Sequence, residues 1–183
     1  PGTDDPYRAS LQAHGWLLTT PGAPMIYMGD EYGEYGGADP DNRHMFRNNT
    51  ELNVREKMLF ENITSLGDLR SESIALKRGI YSTKYASPDL LIYQMSHLEQ
   101  NMTVILNRGG ETTFEGFSEN DTIRFGEASI ENSTIFIPAN SVIVIELFKE
   151  INNLTEEIIG CSDMEAINFN PNVTVGDDSC QYQ

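Results

Sequence analysis

At 183 residues, with 39% hydrophobic and 9% aromatic content, the chain is long enough for one domain or two small ones and apolar enough for a real core. Twelve basic against 28 acidic residues give a formal net charge of -16, which repels nucleic acid phosphates and anionic membranes and leaves neutral or cationic partners. No run approaches the roughly 20 apolar residues that span a bilayer, and the start lacks the basic-then-apolar order of a signal peptide.

The chain opens at PGTDDPYRAS, on a helix start without methionine, and so reads as the interior of a longer protein. Asp5 and Pro6 form a cap and first-turn pair, and Tyr7, Leu11, His14 and Leu18 recur at helical spacing until Thr20 and Pro21 stop the helix. On that apolar side His14 reads as a packed, hydrogen-bonded core residue, and Trp16 as core in preference to a sugar platform. Pro24 to Met28 (PMIYM) is a continuous apolar run, the pattern of a parallel strand covered on both faces. Beyond Gly29 the chain gathers Asp30, Glu31, Glu34, Asp39 and Asp41, with tyrosines and with Gly33, Gly36 and Gly37 between them. In α/β folds ligands bind past the carboxyl ends of the strands. A loop as long as 29 to 50, rich in ligand-capable groups, is usually functional or disordered.

Leu59, Ile63 and Leu66 mark a second amphipathic helix from roughly Glu51 to Leu69, weakened by Gly67. From Gly79 the period changes. Strand-like runs appear at Ile80 to Tyr85, Leu90 to Met95, Met102 to Leu106, Thr112 to Phe117, Thr134 to Ile137 and Ser141 to Phe148, separated by SPD, NRGG, SEND and PAN turns. Short strands so spaced predict an antiparallel sandwich. Residues 150–160 read as a polar linker. The last stretch holds both cysteines, Cys161 and Cys180, bracketing an Asx-rich loop, the pattern of one local disulfide in an exported protein. Asp163, Asn168, Asn170, Asp177 and Asp178 supply oxygens of the kind calcium takes, although Asx-rich turns also form without metal.

PGAPMIYMGDE followed by GGADPDNR resembles the eighth barrel strand and following loop of the alpha-amylase family of glycoside hydrolases (family 13), in the neopullulanase and cyclomaltodextrinase manner. The resemblance extends more weakly from about Asp5 to about Lys149. It implies that residues 1–78 are the last part of a (β/α)8 (TIM) barrel and that 79–149 are the β-sandwich that follows it. The segment 161–183 is similar to Cys-bracketed modules near the ends of secreted bacterial proteins, which implies a secreted, periplasmic or cell-surface protein.

Members of the family hydrolyse or transfer α-glucosidic bonds with retention, using two carboxyl groups about 5 Å apart and a third that steadies the transition state. The resemblance puts all three at strands upstream of this chain, so it implies no catalytic residue here and no activity for the chain by itself. It assigns direct sugar contact to Asp39 and Arg43. Tyr32 and Tyr35 would stack on sugar rings or cover the barrel mouth, and Asp30 and Glu31 would shape the pocket floor. The alternative for Asp39 is a local cap and ion pair with Arg43. His44 to Arg47 (HMFR) departs from the Pro-Met-x-Trp frequent in relatives. The implied partner is an α-glucan or maltooligosaccharide, with no cofactor needed for the chemistry. Two other readings remain: a non-catalytic glycan-binding or cell-surface protein on the same scaffold, and an interaction module in residues 80–149, which would need exposed aromatics on one sheet face.

Overall fold

In the computed structural model, which describes residues 6–149, 159–170, 173 and 175–182, the chain divides into two compact units, Pro1–Lys149 and Glu150–Gln183. The first opens with helix α1 (Pro6–Thr19); the cap expected at Asp5 lies outside the described residues. His14 is buried, and its Nδ1 donates to the Ser10 carbonyl at 2.8 Å, the packed role its position predicts. Trp16 behaves otherwise: three residues before the end of the helix it stands 50% exposed.

Helix α2 (Val54–Glu72) starts at a reciprocal cap, in which Asn53 accepts from the Arg55 and Glu56 backbone N–H groups while the Glu56 carboxylate accepts from that of Asn53. Leu59, Ile63, Leu66 and Leu69 form its buried stripe. A short helix α3 (Ile74–Arg78) follows, capped by Ser73. The buried Arg70 guanidinium ties this layer together, donating to the carbonyls of Leu18 (2.9 Å), Thr20 (3.0 Å), Gly22 (2.6 Å) and Leu76 (2.9 Å).

Eight strands complete the unit: β1 (Ile80–Ala86), β2 (Leu90–Ser96), β3 (Asn101–Asn107), β4 (Thr112–Glu115), β5 (Thr122–Phe125), β6 (Ser129–Glu131), β7 (Thr134–Ile137) and β8 (Ser141–Glu146). They form a five-stranded sheet, β1-β2-β3-β8-β5, and a three-stranded sheet, β4-β7-β6, antiparallel throughout. Leu90, Ile92, Ile105, Ile143 and Ile145 of the larger sheet meet Phe117, Ile135 and Ile137 across the sandwich. On the opposite face Tyr93, Met95, Met102, Val104 and Val144 meet Leu18, Leu59, Ile63, Leu66 and Leu76 of the helices. Strands β2, β3 and β8 are therefore covered on both sides, which is why their apolar residues run consecutively instead of alternating.

The antiparallel sandwich is thus present, with a third, helical layer, and the domain boundary expected at residue 78/79 falls inside a shared core. Gly15 lets α1 approach that sheet: a Cβ there would stand 2.8 Å from Val142 Cγ1. Asn107 fixes the NRGG turn, donating to the Gly110 and Pro138 carbonyls (2.8 Å each) and accepting from the Gly109 N–H at 3.0 Å.

One expectation fails here. Pro24 to Met28 forms no strand: it belongs to neither sheet, Met25 is 82% exposed and Tyr27 is 63% exposed. A parallel strand takes its hydrogen bonds from neighbours on either side, and among the described residues none lies beside this run. The aromatic row that an interaction module would need is also not built on β1. Its register shifts between Thr83 and Tyr85, so Tyr81 turns to Tyr93 on the helical side (5.0 Å between ring centroids) and Tyr85 to Phe114 on the other (5.5 Å).

In the second unit β9 (Ile159–Gly160) pairs in parallel with β10 (Val175–Gly176), and Cys161 is bonded to Cys180 with their Cα atoms 4.8 Å apart. Residues 150–158 of the expected linker lie outside the described residues. Among the described residues no helix is long and apolar enough to cross a membrane.

Candidate functional site

The loop from Gly29 to Thr50 is built on two left-handed glycines, Gly29 (φ 101°) and Gly33 (φ 72°), that bracket a single 3-10 turn, Asp30–Tyr32. The Gly29 N–H donates to Glu31 Oε2 at 2.7 Å, so Glu31 is engaged in holding the turn, while Asp30 is exposed. Tyr32 is 1% exposed. Its ring lies under the Arg47 guanidinium, 5.0 Å from Cζ, with Phe46 edge-on at 6.0 Å, and its hydroxyl accepts from the Arg47 backbone N–H at 3.2 Å. The expected stacking of Tyr32 on a sugar is therefore corrected: the ring is a buried support.

Above it sits a charged network that the sequence reading missed. Arg47 Nε donates to Glu34 Oε2 at 2.7 Å, and its two terminal nitrogens grip Glu56 at 3.1 and 2.8 Å. Glu34 Oε1 takes His44 Nδ1 at 3.1 Å, and His44 Nε2 stands 3.6 Å from Asp41. Its hydrogen bonds to the Glu56 and Glu34 carboxylates hold the Arg47 pKa above its ordinary value against the opposing effect of burial, and Arg47 in turn holds the Glu56 carboxyl below the usual carboxylate range. The network runs from the first turn of α2 across the base of the loop to its tip. The available signal was N-x-x-E at 53–56, which marks a helix start and pins Glu56. His44 and Arg47, the residues of the HMFR departure, are both part of it.

At the tip Asp39–Pro40 is cis, and the turn is closed by Asp41 N–H to Ala38 O at 2.8 Å and Arg43 N–H to Pro40 O at 3.1 Å. Asp39 Oδ1 accepts from Arg43 Nε at 2.7 Å, with the side chains 61% and 72% exposed respectively. Tyr35 is 73% exposed, its ring 4.6 Å from that of His44. Asp39 and Arg43 are thus brought together on one solvent-facing turn, while Tyr35 lies exposed against His44. Chemically the pair offers a carboxylate with one oxygen bonded to Arg43 and the other oriented by it, beside further N–H donors, which suits a vicinal pair of hydroxyls.

In the second unit the acceptors expected as calcium ligands serve the turns. Asp163 accepts from the Glu165 N–H at 2.9 Å and the Tyr182 hydroxyl at 2.7 Å, Asp177 from the Ser179 N–H at 3.0 Å, and Asn168 bridges the Ser179 carbonyl and the Gln181 N–H, each at 2.8 Å. These bonds hold the Asp163 and Asp177 carboxyls below their usual range. Asp178 is exposed, and Asn170 donates its backbone N–H to the Cys161 carbonyl at 3.1 Å. Among the described residues no three His, Cys, Asp or Glu gather as a metal cluster would require.

No family model matches the chain. It is 40% identical over 76 residues to an amylopullulanase of Thermoanaerobacter thermohydrosulfuricus, covering 40% of this chain and 5% of the relative. It is 27% identical over 133 residues to a cyclomaltodextrinase of Thermoanaerobacter pseudethanolicus, covering 70% and 23%. The chain therefore spans less than a quarter of either relative. Among solved structures, the debranching enzyme from Nostoc punctiforme superposes with a TM-score of 0.66 at 25% identity, over 75% of this chain and 30% of that one. An alpha-amylase from H. orenii gives 0.65 at 20% identity, over 77% and 36%.

Proposed function

We propose that the chain belongs to the alpha-amylase family of glycoside hydrolases and is the C-terminal portion of a retaining enzyme that hydrolyses or transfers α-glucosidic bonds in starch-like glucans. Its part in that reaction is to hold a glucose unit. The reading rests on one observation above the others: Asp39 and Arg43, paired at 2.7 Å, stand exposed on a turn whose base is clamped to α2 through Arg47. A sugar hydroxyl donates to the Asp39 oxygen that Arg43 leaves free, and a guanidinium N–H donates to the neighbouring hydroxyl oxygen. Tyr35 offers an apolar edge to the ring. Because the tip is fixed by the network below it, little ordering cost falls on binding.

Bond cleavage needs two opposed carboxyl groups about 5 Å apart. Asp30 and Glu31 do not supply them, since they are successive residues of one turn and Glu31 is bound to the Gly29 N–H. The chain by itself is accordingly a binder without turnover. The Cys161–Cys180 bond supports a site of action in an oxidising compartment, secreted or at the cell surface. The test is a titration of the chain with maltotetraose followed by backbone amide NMR. Shifts at Tyr35, Asp39 and Arg43, saturating at about 1 mM or weaker as one sugar subsite allows, with no glucose or maltose released, are the expected result. Released sugar above a mock preparation, or unmoved amides at the tip, would overturn it.

A further inference from the structure

Trp16 is the only tryptophan of the chain, and it is not in the core: half its surface is open to solvent. It stands on α1 one turn beyond Gln12, and the two border an open pocket of about 370 Å³, within the size range of small-ligand sites. Ala13 and the edges of Leu91 and Leu106 contribute apolar lining, and Ser87, Asp89 and Arg108 contribute polar groups.

The polar groups are held in place from beneath. Gln12 Nε2 donates to the Asn107 carbonyl at 2.6 Å, the Arg108 N–H donates to the Asp89 carbonyl at 2.8 Å, and the turn at Ser87 is closed by its N–H bond to the Leu90 carbonyl at 2.9 Å. Arg108 Nε and Asp89 Oδ1 are 3.9 Å apart, with the two side chains 74% and 68% exposed. The rim backbone is thus preorganised, while the charged ends are free to turn to a ligand.

We propose that this pocket is a second carbohydrate site, separate in its residues from the Asp39–Arg43 turn, that takes a short α-linked glucan. Each part of the ligand has a counterpart. The C–H face of a pyranose stacks on the indole, which offers a large apolar surface at small entropic cost. Ring hydroxyls donate to Asp89 and accept from Arg108, the acceptor–donor pairing that vicinal hydroxyls require. A net charge of -16 disfavours acidic polysaccharides and anionic lipids, leaving a neutral glycan. The choice of α-glucan rests on the function proposed above; the site itself rests on Trp16 and its surroundings.

The single tryptophan makes the test specific. Maltoheptaose is titrated into the whole chain while Trp16 emission and acrylamide quenching are followed, with cellohexaose as the β-linked control. A saturable change with maltoheptaose and none with cellohexaose is expected. Asp89→Asn and Arg108→Gln, which keep the reporter, should each weaken half-saturation several-fold. Trp16→Ala, measured by calorimetry after circular dichroism has confirmed its fold, should weaken this site by about fivefold or more, as losing a central aromatic anchor does. An Asp39→Ala, Arg43→Ala double variant should leave the Trp16 response where it was.

A flat Trp16 titration while the Asp39 and Arg43 amides still shift would overturn the second site and leave the proposed function standing. A Trp16 response with a silent Asp39–Arg43 turn would do the reverse. A response abolished by the double variant, or equal with cellohexaose, would overturn the assignment of this pocket to an α-glucan.

Discussion

Replacing Arg47 by methionine keeps the aliphatic stem on the Tyr32 ring and removes the guanidinium. Three charge-assisted hydrogen bonds go with it, two to Glu56 and one to Glu34. Breaking a buried pair costs about 3–5 kcal/mol because the remaining charge is stranded. Here the Arg47 side chain is 31% exposed, Glu34 14% and Glu56 9%, and Glu56 keeps its bond from the Asn53 N–H. These place the cost at about 2–3 kcal/mol.

The pH dependence has a definite sign. Arg47 lowers the folded-state pKa of Glu56, so the contribution is fully present above the unfolded glutamate pKa of about 4.3 and is lost as the pH falls through the lower folded value. Urea unfolding followed by circular dichroism should therefore show a gap of about 2–3 kcal/mol between wild type and Arg47→Met near pH 7, shrinking in acid once the pH falls below about 4.3 and Glu56 becomes protonated. Hydrogen exchange should quicken in residues 29–50 before it does in β3 and β8. A gap below about 0.5 kcal/mol near pH 7, or one that does not change in acid, would refute the clamp.

Arg70→Met should be the more damaging substitution, lowering stability by about 3 kcal/mol or more in a thermal melt, because four carbonyls lose their donor at once; a melting temperature within a degree or two of wild type would contradict that role. Reduction of the Cys161–Cys180 bond, which closes a separation of 19 residues, removes about 3 kcal/mol of loop restriction. The tail should then become protease-sensitive while the sandwich melts as before, and chelator should change neither. Protection that survives reduction, or falls in chelator, would count against order held by the disulfide and its Asx turns.

Much of this was legible in the sequence, because where local pattern and tertiary context agree the pattern suffices. Leu59, Ile63 and Leu66 announce a buried helical stripe, NRGG and PAN announce the turns that Asn107 links, and the apolar runs of β2, β3 and β8 announce strands of an antiparallel sandwich. The stripe does not say what covers it, and so the common core of the helices with the larger sheet was not readable. β6 is three residues long, too short for a period to emerge. Pro24 to Met28 carries the composition of a buried strand, but a strand is a property of a pair, and hydrogen-bonding neighbours are not written in one run. Tyr32 looked like a surface aromatic in a polar loop; it is buried because Arg47, fifteen positions on, closes over it. Asp39 and Arg43 could be singled out because their spacing and the motif around them are local, and the structure pairs them.

Asp39 and Arg43 decide the account. An ion pair this exposed contributes about 0–1 kcal/mol to stability, so its removal should leave the fold nearly untouched, whereas losing one partner of a charged hydrogen bond to substrate costs about 1.5–3 kcal/mol, a factor of roughly 10 to 150. The most direct measurement is kcat/KM on maltoheptaose for Asp39→Ala and Arg43→Ala in the proposed enzyme, this chain joined to the catalytic carboxylates that the proposal requires. The account expects a fall of about 10- to 150-fold in each with the melting temperature nearly unchanged; an unchanged kcat/KM, or a large loss of stability in its place, would show that the pair only closes its own turn.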